Sequence, residues 1–189
     1  MIKAIIFDFY GVIRSDEYHS WLHRHGLNTN QGYADANRQM NQGQTTLEEF
    51  LEKLSDISGL SVESIHREIV SNSLLNKAML DLIFKLKPKY KIAILSNASS
   101  PHLRESLAKT GTEKLFDAVV ISSELGITKP DTSIFNYCLD KLDVTADEAI
   151  YIDDNQRFVD AANKLGLTAY CYSGTDDLKQ HLSKLGVVY

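Results

Sequence analysis

Ala4-Ile5-Ile6-Phe7-Asp8-Phe9-Tyr10-Gly11-Val12-Ile13 is an apolar run that stops at an acid and then meets a glycine. Four apolar residues in succession describe a strand covered on both faces, as in a parallel sheet, and such sheets present their chemistry at the strands' carboxyl ends. Asp8 falls at that end. Taken alone, Asp8 would equally serve as a turn residue before Gly11. The choice between a turn and a site rests on the rest of the chain.

Outward from this stretch, short apolar runs alternate with helical patterns, the signature of βαβ units. Strands are predicted over Lys3 to Phe7, Lys91 to Leu95, Ala118 to Ile121, Ala149 to Ile152 and Thr168 to Cys171. Between the later strands, Ile134, Phe135, Cys138, Leu139 and Leu142 keep one helical face apolar, and Gly166 reads as a helix C-cap. The expected fold is α/β, a Rossmann-like parallel sheet of five strands with a small helical cap inserted.

The insertion follows from length, because Ile13 to Lys91 far exceeds the dozen or so residues of a parallel crossover. Thr46 and Glu49 form a capping box for a helix carrying Leu47, Phe50, Leu51 and Leu54, with Gly59 as its stop. Ser61 starts another, with Leu60 and Ile65 as a hydrophobic staple. Weaker patterns span Glu17 to His25 and Tyr33 to Gln42, and Leu75 to Leu86 reads as the returning helix. Residues 15 to 75 are therefore expected to form the cap, a candidate lid, and residues 1 to 14 with 76 to 189 the core.

Composition limits the chemistry. The chain has 189 residues, 43% hydrophobic, with a formal net charge of -5, which suits one globular core and offers no basic patch for nucleic acid. Cys138 and Cys171 lack CxxC spacing and read as small buried hydrophobes in a reducing compartment. No window reaches transmembrane length and the first apolar run is too brief for a signal peptide, so the expected location is cytoplasmic, away from membranes. Composition leaves monomer and homodimer equally open.

Three further stretches decide the role of Asp8. Ile94-Leu95-Ser96-Asn97 puts a hydroxyl and an amide at a strand's carboxyl edge, and Ser99-Ser100-Pro101 can open a helix whose N–H groups suit an anion. Gly126-Ile127-Thr128-Lys129-Pro130-Asp131 holds one lysine before a helix expected to start at the proline. Ile152-Asp153-Asp154-Asn155 ends a strand on two adjacent acids, which repel each other and Asp8 unless a cation neutralises them.

The order Asp8, Ser96, Lys129, Asp153-Asp154 resembles the haloacid dehalogenase superfamily of Mg-dependent phosphatases and phosphotransferases, over nearly the whole chain. The resemblance implies a Rossmann-like core with a helical cap. It implies Asp8 as the nucleophile that forms an aspartyl-phosphate, and Mg²⁺ held by Asp8, Asp153, Asp154 and the Tyr10 carbonyl. Ser96 and the Asn97 backbone would hold phosphoryl oxygens, with Lys129 offsetting the charge of Asp8 and phosphate. The implied partner is a small phosphorylated metabolite.

Tyr10 departs from that pattern, since the family's phosphatases usually carry a second aspartate there as general acid and base. A phenol near pKa 10 is a poor base at neutral pH, and losing the proton transfer would cost roughly 10²- to 10⁴-fold on a poor leaving group. The sequence Asp8-Phe9-Tyr10-Gly11 is similar to the superfamily's 2-haloacid dehalogenases, whose halide leaves without a proton. Those enzymes, however, have threonine at Val12, tyrosine at Phe135 and serine at Asp153 or Asp154, and they use no metal. The expected activity is therefore a Mg-dependent phosphatase with an altered acid-base step; a dehalogenase-like hydrolase and a noncatalytic Mg/phosphometabolite-binding protein are the alternatives.

Other polar residues read as structure. His19 and His23 share a helical face near His25 but lack a third zinc ligand, and Asp160 reads as a helix-surface acid. Trp21 is expected in the core. Arg14 and Arg38 are the cationic candidates for contacts with substrate.

Overall fold

In the computed structural model, which describes residues 1–189, the four side chains of β1 (Ala4–Phe7) are buried. β1 is central. It pairs in parallel with β2 (Lys91–Ser96) on one side and β4 (Ala149–Asp153) on the other, with Phe7 opposite both Ile94 and Ile152. β3 (Ala118–Ile121) and β5 (Thr168–Cys171) complete a parallel five-stranded sheet of order β3-β2-β1-β4-β5. The strand order reverses between β1 and β4, so a crevice opens at their carboxyl ends. Asp8 and Asp153 end those two strands.

Alternation along the strands divides the core into two layers. Ile5, Phe7, Ile92 and Ile94 face Met79, Leu82, Ile83 and Leu86 of one helix and Leu178 and Leu182 of another. Ile6, Ala93 and Leu95 face Ile134, Phe135, Cys138, Leu139 and Leu142, the apolar set expected from spacing.

Four helices intervene between β1 and the returning helix: α1 (Glu17–Arg24), α2 (Gln31–Asn41), α3 (Leu47–Ser58) and α4 (Val62–Asn72). They enclose a separate cluster of Trp21, Leu22, Ala36, Met40, Phe50, Leu51, Leu54, Ile65 and Ile69. Burying each of the larger side chains contributes about 2 kcal/mol. The Thr46–Glu49 capping box is formed, Gly59 ends α3 at φ 73°, and Ser61 caps α4. The two strands of chain that connect this insertion run together: Ser15 N–H donates to Leu74 O and Asn76 N–H to Ile13 O, both at 2.9 Å.

The return helix α5 (Lys77–Leu86) starts two residues after the expected Leu75, because Leu75 bridges to Arg14 and Asn76 supplies the N-cap. The chain continues as α6 (Ser100–Thr110), the single turn α7 (Ser122–Leu125), α8 (Thr132–Leu142), α9 (Gln156–Leu165) and α10 (Thr175–Lys184). α8 does not start at Pro130. Asp131 caps it by accepting from Ser133 N–H at 2.9 Å, which moves the helix start to Thr132. No helix is long and apolar enough to cross a membrane.

Candidate active site

Asp8 leaves β1 with its backbone still in the sheet, its N–H donating to Ile152 O at 2.8 Å. Its carboxylate is nearly buried and accepts from Phe9 N–H at 2.6 Å. Lys129, also buried, reaches it at 3.1 Å and reaches Asp153 at 2.7 Å, while donating to Leu95 O at 3.1 Å. The ammonium is thus fixed between two strand ends. Burial opposes its charge, but Asp8 and Asp153 outweigh this and hold it above the ordinary lysine range.

Asp153 is committed on both oxygens: Lys129 and the Tyr151 hydroxyl donate to one, Asn155 N–H to the other at 2.8 Å. Asp154 instead opens toward the cavity. The three carboxylates have oxygen atoms within 4.8 Å of one another. Burial pushes the Asp8 carboxyl up to about 8 against the pull of Lys129, with Asp153 and Asp154 adding to the rise. Burial followed by Asp153 and Asp16 also raises Asp154. Three oxygen-donor acids crowded within 4.8 Å of one another fit a hard divalent cation such as Mg²⁺.

Asn97 also uses its side chain. Its amide brackets the Lys129 peptide, accepting from Lys129 N–H at 2.8 Å and donating to Lys129 O at 3.0 Å. Ser96 Oγ is buried beside it and has no hydrogen-bond partner. A buried hydroxyl lacking a partner costs about 1–3 kcal/mol, so a ligand oxygen there would recover a real penalty.

Tyr10 turns its ring into the same cavity. It lies edge-on to Phe9, centroids 4.9 Å apart, and stacks with His102 at 6.4 Å and 11° between planes. Its hydroxyl is buried without a partner, and burial drives its pKa far upward. The ring thus presents a phenol, not a carboxylate, to the cavity.

A cavity of about 560 Å³ joins these residues to the helical insertion. The core contributes Asp8, Tyr10, Ser96, Asn97, His102 and Asp154; the insertion contributes Asp16, Tyr18, Tyr33, Asn37 and Asn41. Ser122 ties the two sides, accepting from Ala98 N–H at 3.0 Å and donating to Asn41 O at 2.6 Å. The cavity excludes Arg14 and Arg38. Arg14 is held by Ser73 and Ser106 hydroxyls, at 2.6 and 3.3 Å, and Arg38 pairs with Asp35 at 2.8 Å.

The histidines of α1 do not form a metal site, since His25 pairs with Glu68 at 3.2 Å and His19 alone lines the cavity. Trp21 is buried and Asp160 accepts from Gln156 on the surface of α9. Burial pushes the Cys138 thiol up to about 12, so it is an inert core group.

Sequence reasoning missed Tyr151, Asp16, Tyr18, Tyr33 and His102. Tyr151 carried a usable signal: a phenol inside a buried strand needs a partner, and two residues on lies Asp153 on the same face. The insertion residues carried none, because which helix faces overlie a sheet edge depends on packing between the two units.

A model of the haloacid dehalogenase-like hydrolase family matches residues 5–171. The chain is 25% identical to the D-ribitol-5-phosphate phosphatase of Bacteroides thetaiotaomicron over a 210-residue alignment, covering 97% of this chain and 98% of that protein. It is 29% identical over 91 residues to a drimenol cyclase of Aspergillus calidoustus, covering 48% of this chain but spanning only 17% of the cyclase. A solved HAD family enzyme of B. thetaiotaomicron, in complex with magnesium and inorganic phosphate, superposes with a TM-score of 0.73 at 24% identity, over 92% of this chain and 95% of that one. At that identity the likeness establishes the fold.

Proposed function

Because the chain belongs to the haloacid dehalogenase-like hydrolase family, we propose that it is a Mg-dependent phosphatase acting on a small phosphorylated metabolite through an aspartyl-phosphate. The observation that carries this reading is the clustering of the Asp8, Asp153 and Asp154 carboxylates, the first two paired with buried Lys129, beside an unpartnered Ser96 hydroxyl. The similarity to a sugar-alcohol phosphate phosphatase supports it. The charge crowding disfavours a metal-free dehalogenase, since acids that raise each other's pKa weaken the nucleophile.

Asp8, Asp153, Asp154 and the Tyr10 carbonyl are assigned to Mg²⁺, with Asp153 also holding Lys129. A bound Mg²⁺ neutralises the carboxylates and phosphoryl oxygens. An Asp8 carboxylate oxygen attacks phosphorus, and the bond from phosphorus to the ester oxygen breaks with its electron pair leaving on that oxygen. Lys129 offsets the charge of nucleophile and phosphate, while the Ser96 hydroxyl and Asn97 backbone hold phosphoryl oxygens. Water then attacks the phosphorus of the aspartyl-phosphate, releasing phosphate and restoring Asp8. Tyr10 supplies no carboxylate to move the proton in either step, so the leaving alkoxide takes its proton from water.

Residues 15–75 act as the cap over a core of 1–14 and 76–189, and the cavity between them receives the substrate. The test is phosphate release from a panel of phosphate esters with Mg²⁺ and with chelator. Mg-dependent release supports the reading; halide release from haloacids that ignores chelator overturns it.

A further inference from the structure

The cavity between the insertion and the sheet edge is aromatic and acidic, and it has no lysine or arginine on its wall. Lys129 is buried behind Asp8 and Asp153, Arg14 is turned onto Ser73 and Ser106, and Arg38 is paired with Asp35. Two histidines, His19 and His102, are the nearest cationic candidates, and burial lowers the pKa of His102. Opposite the site, Asp16 stands at the N-terminus of α1. One of its oxygens accepts from His19 N–H at 3.0 Å and caps the helix. It lines the same cavity as Tyr10 and Asp154, so it faces the place where the body of a substrate must lie.

From this arrangement we infer that the substrate is a phosphomonoester of an uncharged or cationic alcohol, and that Asp16 is the residue that excludes phosphoesters carrying a second anionic group. The inference deepens the phosphatase reading and rests on it. One phosphate is provided for, by Ser96, Lys129 and the metal. A second phosphate or a carboxylate would be desolvated among Tyr18, Tyr33 and Asp16 with no lysine or arginine to pair with. Such burial is costly, and the like charge on Asp16 adds to it. Hydroxyl or ammonium groups instead find acceptors in Asp16 and in the Asn37 and Asn41 side chains along the same wall.

The experiment compares glycerol 3-phosphate, phosphoethanolamine and 3-phosphoglycerate, in which similar short bodies end in hydroxyl, ammonium and carboxylate. With Mg²⁺ present, kcat/KM for the first two is expected to exceed that for 3-phosphoglycerate at least tenfold. Asp16→Asn retains the helix-capping oxygen and removes the charge. It should narrow the gap to within about threefold, chiefly by improving 3-phosphoglycerate. Equal turnover of all three by the natural enzyme, or a gap that Asp16→Asn leaves intact, overturns the charge selection while the phosphatase reading stands. Turnover of none of them removes the support that these esters give the phosphatase reading, and titration of the three compounds into Asp8→Asn with Mg²⁺ then judges selection by itself: at least tenfold weaker binding of 3-phosphoglycerate upholds it, and equal or tighter binding refutes it.

Discussion

Gly11 has no side chain because Asp154 occupies the place where one would go: a Cβ built on Gly11 would lie 2.1 Å from Asp154 Oδ2. Gly11 also sits at φ 86°, a backbone conformation that side chains disfavour. The loop after β1 and the loop after β4 therefore close on each other, and the second acid of the pair is brought to the first. Gly11→Ala is expected to push Asp154 away, weakening Mg²⁺ binding at least about tenfold by calorimetry. Unchanged affinity would show that Asp154 does not hold the ion.

Asp8→Asn is expected to abolish phosphate release and, without metal, to stabilise the fold. The sign follows from the raised pKa. A carboxyl at about 8 in the folded chain and 3.8 by itself favours folding below pH 4 and loses that contribution as pH rises through about 8. In chelator the natural protein should therefore lose melting temperature between about pH 5 and pH 8, by several degrees more than Asp8→Asn does. Mg²⁺ should return much of the loss. Parallel pH profiles for the two proteins would contradict a crowded Asp8.

Tyr151→Phe removes one of three donors from the buried Asp153 carboxylate. A loss of about 1–3 kcal/mol in urea unfolding is expected, with KM little changed because the hydroxyl lies behind the site. A neutral effect on stability would mean that Lys129 and Asn155 alone satisfy Asp153.

Tyr10→Asp would put a carboxylate two residues after Asp8, in reach of the leaving group. Alkyl phosphate hydrolysis should rise at least about tenfold, and aryl phosphates, whose leaving groups need no proton, should gain less. Slow hydrolysis of the aspartyl-phosphate in the natural enzyme would appear as a burst of phenol. Lower activity on every ester, with no burst, would give Tyr10 a positive role of its own.

The sheet was legible because each buried strand carries its own local mark. The run before Asp8, the run before Ser96 and the run before Asp153 are bounded by polar residues, and parallel pairing brings such ends to one edge. Caps were legible for the same local reason, as Thr46, Gly59, Ser61 and Gly166 illustrate. The helix start after Lys129 was not, because Asp131 competes with Pro130 for the boundary and its side-chain bond to Ser133 wins. The Asn97 bracket around Lys129 and the aromatic wall of Tyr18 and Tyr33 join residues distant in sequence or arise from packing. Spacing along one chain does not encode them.

The central claim is that Asp8 becomes covalently phosphorylated. Acid quenching of the enzyme during turnover of an aryl phosphate with Mg²⁺, followed by peptide mass spectrometry, tests it directly. The account predicts one phosphoryl group on the peptide containing Asp8, absent in Asp8→Asn and absent when chelator is added before substrate. Sustained phosphate release from the natural enzyme together with undiminished release from Asp8→Asn, and no phosphorylated Asp8 peptide in either, would contradict it.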